Sequence, residues 1–412
     1  MVEVPFSPPS RRRHRLKRPV AGADYLDVPP STRSDPLSDI RIPWAMPYLD
    51  DRETDAVVDL LRARRLSMGE QTLRFEEEVA ARVGRRHGIA VANGSVALDV
   101  AMKLAGVKAG DEVLVSALSY IATVNSVLLQ GAIPVFCDVD PVTLNIDPAE
   151  VQRRVTPRTR ALLVADYCGS PVDYARLEPI CDANGVVLLV DGAQSLGTFS
   201  EGRPACSRGL VATTSFHTAK AMICGEGGMV FVDDPALDER ARRLRGQGEI
   251  PGRKYRHDTL ASNYRMTDLQ AAIGRVQIGR MDDVMARRAA LAARYAQRLA
   301  GVPGVRIVEH LPGVTPAHFS FAVQVDERDA VAAALLAAGI ETRSLYPVPA
   351  YRQEIPEYEA LDRTPRLRAE QAARTVLNLP MFYELTAAEV DDVADHLIAA
   401  VGAAGHDVAL AA

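Results

Sequence analysis

Between residues 88 and 232 the chain repeats one pattern: a short, almost uninterrupted apolar run, a turn, then a longer helical stretch. The runs are Gly88–Ala92, Glu112–Val115, Ile133–Phe136, Ala161–Ala165, Val186–Val190, Val211–Phe216 and Met229–Val232. A strand with no polar face must be covered on both sides, and interleaved helices supply that cover. The chain is therefore expected to be α/β, with a mostly parallel central sheet. Ligands of such sheets bind beyond the carboxyl ends of the strands. The residues that follow each apolar run are the first place to look for chemistry.

The flanks add elements to this centre. Ala56, Val57, Leu60 and Leu61 recur at helical spacing, so an amphipathic helix is expected over about 52–65. Phe75, Val79 and Val83 suggest a second, with a loop over Leu66–Glu70 between them. Residues 235–300 read as helical, interrupted by a polar loop over 246–264. From about 303 a second αβ unit is marked by Val305–Val308, Phe319–Val325, a helix over Ala330–Ala338, and Ile340-Glu341-Thr342; a last helix is expected over Ala387–Val401. With 412 residues there is room for a large domain over 41–300 and a smaller C-terminal αβ domain over 301–412. Residues 1–40 differ. Arg11-Arg12-Arg13-His14-Arg15 and Lys17-Arg18 lie among prolines and serines, with no apolar run behind them. This is the composition of a disordered basic extension, not of a secretory signal.

Composition removes several function classes. A net charge of −5 argues against a nucleic-acid binder. No run of apolar residues is long enough to span a membrane. The five cysteines, Cys137, Cys168, Cys181, Cys206 and Cys224, show neither CxxC nor Cys/His spacing. No metal set is expected, and scattered thiols suit a reducing, cytoplasmic setting.

Only five lysines occur: Lys17, Lys103, Lys108, Lys220 and Lys254. Lys220 alone stands after an apolar strand-like run, in Ser215-Phe216-His217-Thr218-Ala219-Lys220, before the glycine-rich Gly225-Glu226-Gly227-Gly228. Desolvation disfavours an ammonium, so an amine there can act as a Schiff-base nucleophile; a surface lysine beside a turn is the plainer alternative. Asn93-Gly94-Ser95 joins a strand to a helix and can either cap that helix or cradle an anion such as phosphate. Asp191, in Asp191-Gly192-Ala193-Gln194, ends the most apolar strand, where a carboxylate needs a cation, a strong donor or a helix to cap. Tyr120 follows another strand and could stack on a flat ring or half-bury in the core. A phosphate cradle, an aromatic face, an acid for a ring nitrogen and a lysine together match the needs of pyridoxal phosphate.

These motifs, in this order, resemble the sugar aminotransferase (DegT/DnrJ/StrS-like) family of pyridoxal-phosphate enzymes. Its fold is that of the aspartate-aminotransferase-like, fold type I transferases. Further motifs carry the likeness: Ser119–Thr123, Gly131–Val135, Asp138–Pro141, Asn145–Pro148, Asn263-Tyr264-Arg265-Met266, Leu269–Ala272 and Leu379-Pro380-Met381. The match runs from about 43 to 400. The resemblance implies that Lys220 forms an aldimine with the cofactor and later shuttles a proton. It implies that Asp191 pairs with the pyridine nitrogen, Gln194 bonds the phenolic oxygen and Tyr120 stacks on the ring. Gly94, Ser95 and Ser215 would hold the phosphate, and Asn263 would reach the phosphate of a neighbouring subunit in a homodimer with shared sites. The implied reaction moves an amino group from an amino acid, usually L-glutamate, to a keto group on a nucleotide-linked deoxysugar, by way of pyridoxamine phosphate. The chain departs from the family at Gly192, at His217-Thr218-Ala219, and at Leu345 and Tyr351, where the family carries histidines near its sugar substrate. These departures leave open a cyclitol ketone or other non-nucleotide acceptor. A dehydratase relative would replace the lysine, and a non-catalytic regulator would not need the full set.

Overall fold

The computed structural model describes residues 40–411; the expected basic extension over 1–39 lies outside the described residues. Two helices come first, α1 (Asp51–Ala63) and α2 (Glu70–Arg82). Asp50 and Glu53 close a capping box on α1, which fixes where that helix begins. The alternating core follows: β1 (His87–Val91), α3 (Gly94–Leu104), β2 (Glu112–Ser116), α4 (Ile121–Leu128), β3 (Ile133–Cys137), α5 (Pro148–Arg154), β4 (Thr159–Ala165), α6 (Tyr174–Asn184) and β5 (Val187–Asp191). Two short strands, β6 (Phe199–Ser200) and β7 (Arg203–Pro204), precede β8 (Val211–Ser215) and β9 (Gly228–Val232).

The central sheet has seven strands in the order β1-β9-β8-β5-β4-β2-β3. Pairs among β8, β5, β4, β2 and β3 are parallel, whereas β9 pairs antiparallel with both β8 and β1. One strand thus runs against the rest. Residues 216–227, between β8 and β9, contain no helix, and a parallel return would need a crossover. Each strand is buried on both faces: Leu163, Leu189 and Val230 pack on one side, and Leu162, Leu188 and Met229 on the other. This is the physical content of the near-continuous apolar runs.

The helices α7 (Pro235–Arg245), α8 (Asp268–Gly279) and α9 (Met281–Leu299) lead to a second antiparallel sheet. It contains β10 (Arg306–Ile307), β12 (Phe321–Gln324) and β13 (Val376–Leu379), flanked by α10 (Arg328–Ala337) and α12 (Ala387–Ala411). Tyr295 and Leu299 of α9, Val323, Leu335, Leu377 and Leu397 share its apolar core. Strand β11 (Val314–Thr315) joins β6 and β7 in a third small sheet, and α11 (Leu367–Thr375) precedes β13. Helices α5 and α11, strand β13 and these short strands are elements that the apolar patterning of the chain does not mark. Ile340 of the Ile340-Glu341-Thr342 run makes an isolated bridge to Ile42, so it pairs with the start of the described chain. Among the described residues no helix is long and apolar enough to cross a membrane.

The β1 edge of the sheet is held by a buried ion cluster. Glu76 of α2 accepts from the Ala90 N–H (2.9 Å) through Oε1 and from Arg242 Nη1 (2.7 Å) through Oε2, and it also meets Arg245. Removing one member of a buried pair strands the remaining charge. Glu76→Ala is therefore expected to cost about 3–5 kcal/mol, read as a lower denaturant midpoint. Loss of less than about 1 kcal/mol would show that Arg242 and Arg245 find other partners.

Candidate active site

The carboxyl ends of β1, β4, β5 and β8 open onto one cavity of about 640 Å³. From β1 comes the Asn93-Gly94-Ser95 turn. Asn93 Oδ1 accepts from the Val96 N–H (2.9 Å) and caps α3. The cap leaves the first-turn N–H groups of Gly94 and Ser95 without intrahelical partners, and both residues line the cavity. The two readings of this turn, cap and cradle, are compatible. A Cβ at Gly94 would stand 2.8 Å from Ser215 Cβ, so only glycine lets the turn approach the end of β8 this closely.

Asp191 is the last residue of β5 and is 7% exposed. Its Oδ2 accepts from Thr123 Oγ1 (3.0 Å) and its Oδ1 from the Ala193 N–H (3.1 Å). Burial raises its pKa, and the hydrogen bonds from Ala193 and Thr123 and the charge of Lys220 oppose that rise without cancelling it. The carboxylate therefore has capacity for one more cationic donor. Lys220, in the loop after β8, places Nζ 4.5 Å from the centroid of the Phe319 ring. Burial lowers its pKa to about 8, against the pull of the Asp191 charge. Such an amine carries a substantial neutral, nucleophilic fraction near neutrality.

Gln194 is engaged at both ends: Oε1 accepts from the Cys168 N–H (2.8 Å), while Nε2 donates to the Tyr346 hydroxyl (2.7 Å). Tyr120 is exposed, its ring 6.0 Å from that of Tyr346. Ser215 closes β8 beside Gly94. The structure thus brings Gly94, Ser95, Tyr120, Asp191, Gln194, Ser215 and Lys220 to one cavity. Asn263 does not line it. It is exposed on the 246–264 loop, its backbone paired with Gly246.

Three neighbours of the expected set come from elsewhere. Thr123 lies inside the Ser119–Thr123 motif, one helical turn after Tyr120, and that spacing was its only signal. Phe319 and Tyr346 arrive from distant segments and have no local signature. Two of the family departures now have a physical setting. A Cβ at position 192 would fall 2.5 Å from Cys206 Sγ and 2.7 Å from the Thr213 carbonyl oxygen, so glycine there accompanies the cysteine. Leu345 lines the cavity, but Tyr351 does not: it is buried against Phe136 and donates to Glu370 (2.8 Å). The departure at 351 is a packing change and does not reach the cavity.

The DegT/DnrJ/EryC1/StrS aminotransferase family model matches residues 47–398. GDP-perosamine synthase of Caulobacter vibrioides is 36% identical over 366 residues, which span 87% of this chain and 98% of that protein. The dTDP-3-amino-3,4,6-trideoxy-alpha-D-glucose transaminase of Streptomyces venezuelae is 37% identical over 331 residues, 80% of this chain and 87% of its own. Among solved structures, DesV of S. venezuelae, in complex with a ketimine intermediate, superposes with a TM-score of 0.82 at 35% identity, covering 87% of this chain and 99% of that one.

The depressed pKa of Lys220 carries a stability consequence. Below about pH 8 the folded protein holds a desolvated ammonium; between about 8 and 10.5 the unfolded chain binds a proton that the folded one does not, so the penalty fades as pH rises. Lys220→Met is expected to stabilise the cofactor-free protein at pH 7 by on the order of 1–2 kcal/mol after screening. The gain should shrink above pH 8 and vanish above 10.5. Thermal melts of both proteins across this range are the check; a gain independent of pH would assign the effect to packing.

Proposed function

Because the chain belongs to the DegT/DnrJ/EryC1/StrS aminotransferase family, we propose that it uses pyridoxal phosphate to move an amino group from an amino acid, L-glutamate, to a keto group of a nucleotide-linked deoxysugar. One observation carries this reading. A lysine whose ammonium is disfavoured by burial shares a cavity with a buried carboxylate that has room for another donor. The relatives named for GDP- and dTDP-linked sugars support a nucleotide-linked acceptor.

The donor set fits the cofactor group by group. Bound pyridoxal phosphate supplies an aldehyde for amines and a protonated ring that draws electrons from the bond to be broken. The N–H groups of Gly94 and Ser95, with the hydroxyls of Ser95 and Ser215, hold the phosphate at the α3 N-terminus. Tyr120 offers an exposed ring face for stacking. Asp191 takes the ring N–H, while Thr123 and the Ala193 N–H keep its two oxygens aimed. Gln194 retains a second Nε2 hydrogen for the phenolic oxygen. Lys220 Nζ would hold the cofactor through its aldehyde and, once the substrate amine has displaced it, would carry a proton from the substrate α-carbon to the aldehyde-derived carbon of the cofactor. The Phe319 ring, its centroid 4.5 Å from Nζ, covers that atom on one side.

We further propose a homodimer with shared sites. Asn263 is exposed and outside its own cavity, and the same loop projects Tyr255 and Leu260 with 78% and 96% of their surfaces exposed. A second copy would bury these side chains and give Asn263 a phosphate to reach. All five cysteines are free and buried, which fits a cytoplasmic enzyme.

Incubation with pyridoxal phosphate should produce a visible absorbance band of bound cofactor, which L-glutamate bleaches. Lys220→Ala should lose the band and at least about a thousandfold in turnover. Thr123→Val should weaken cofactor binding about tenfold by leaving a carboxylate oxygen undonated. Light scattering should give twice the chain mass of 44.6 kDa. A wild-type protein that never binds the cofactor defeats the proposal. A panel of keto-sugar nucleotides against inosose-type ketones, read by mass spectrometry, decides between the two acceptor classes.

A further inference from the structure

We infer that His217 and Glu226 form a hydroxyl-recognising pair at the mouth of the cavity, which selects the amino acceptor, a polyhydroxylated keto-sugar ring, over the carboxylate-bearing amino donor. The inference rests on the aminotransferase reading above and assigns roles to two residues that reading leaves unused. Both side chains line the same cavity as Lys220. Most other polar groups there already have protein partners: Asn93 with the Val96 N–H, Asp191 with Thr123, Gln194 with Tyr346, and Ser215 Oγ with the His217 N–H. The Glu226 carboxylate is different. Among the described residues its one basic neighbour within 4 Å is His217 Nε2, at 3.9 Å, too far for a hydrogen bond.

The backbone holds the two residues in place. His217 forms a parallel bridge with Gly225, the residue before Glu226. The Glu226 carbonyl accepts from Gln270 Nε2 (2.9 Å), and Gln270 is itself locked in the Thr267 capping box at the start of α8. His217 Nδ1 accepts from the Ala219 N–H (3.3 Å), which places the proton of the neutral ring on Nε2, the nitrogen that faces Glu226. The mouth thus presents one N–H donor and one two-oxygen acceptor side by side, not bonded to each other. A hydroxyl lying beside both can bridge them, because its oxygen can accept from Nε2–H while its hydrogen goes to the carboxylate. A carboxylate cannot: it could use His217 but would face the charge of Glu226. An amino-acid donor carries carboxylates; a sugar ring carries hydroxyls. The pair therefore discriminates between the two substrates that must use the cavity in turn. Side-chain exposures of 49% and 61% leave both residues accessible to ligand, and replacing them should not disturb the core.

The test separates the two halves of the reaction. The donor half is followed as bleaching of bound cofactor by L-glutamate. Acceptor binding is measured by equilibrium dialysis of dTDP-4-keto-6-deoxyglucose and GDP-4-keto-6-deoxymannose against the cofactor-loaded enzyme. Glu226→Ala and His217→Ala should each weaken acceptor binding about 10- to 100-fold, the worth of a hydrogen bond to a charged group. The KM for L-glutamate should stay within about twofold, or fall in Glu226→Ala as repulsion is removed. Glu226→Gln, which keeps an acceptor oxygen, should recover part of the loss. Unchanged acceptor binding would reduce the pair to a surface contact and overturn the inference. Equal losses in both halves would overturn it too, by placing the residues on the cofactor. So would a wild type that responds to L-glutamate but binds neither probe. A wild type inert to L-glutamate and to a mixed amino-acid donor panel would instead bring down the aminotransferase reading, and this inference with it.

Discussion

A carboxylate held out of water at the end of β5 organises this molecule. Asp191 is desolvated on every side that the sheet controls, and its oxygens receive only Thr123 and the Ala193 N–H. That arrangement is costly without a cation. It is met partly by Lys220, whose own burial weakens its charge. Neither group is content with the other, and each gains from a ligand that brings an aldehyde for the amine and an N–H for the acid. The site is built from two groups whose titration burial perturbs in opposite directions, the pattern of a functional site.

The sheet makes this geometry repeatable. Parallel strands β4, β5 and β8 end on the same side, so Asp191 and Ser215 reach one cavity without special loops. The reversed strand β9 is the exception that brings in the lysine. A helical crossover after β8 would carry the chain away from the strand ends; residues 216–227 instead turn back at once and keep Lys220, His217 and Glu226 in the cavity that Asp191 lines. Gly228 completes the fit, since a Cβ there would lie 2.4 Å from the Asn93 carbonyl oxygen. The lysine, the Asn93–Ser95 turn and the carboxylate are thus fixed against each other by strand pairing, with the Glu76 cluster anchoring the outer edge of the sheet.

Much of this was legible in the chain. The apolar runs marked the seven central strands because two-faced burial leaves no room for polar residues along them. Gly94, Ser95, Asp191, Ser215 and Lys220 stood out because strand ends in α/β sheets are where such residues do chemistry. Other residues left no trace. Phe319 and Tyr346 look like ordinary core aromatics locally; they face the lysine and Gln194 only because residues 319 and 346 are brought over the cavity. Helix α5, capped by Asp147 with proline at its first turn, is short and weakly patterned. Strand β13 was hidden because its residues Val376–Leu379 run straight out of helix α11 without a turn signal.

By itself the sequence determined the fold class and singled out Lys220, Asp191 and the Asn93–Ser95 turn as strand-end residues, since these follow from local pattern. Only the tertiary structure decided which side chains complete the site. It excluded Tyr351 from the cavity and admitted Leu345, explained Gly192 by the sulfur of Cys206, and set His217 beside Glu226 without a hydrogen bond between them. The reason is physical. Burial, partner choice and the protonated nitrogen of a histidine depend on atoms from segments far apart in the chain, and no local pattern encodes their distance.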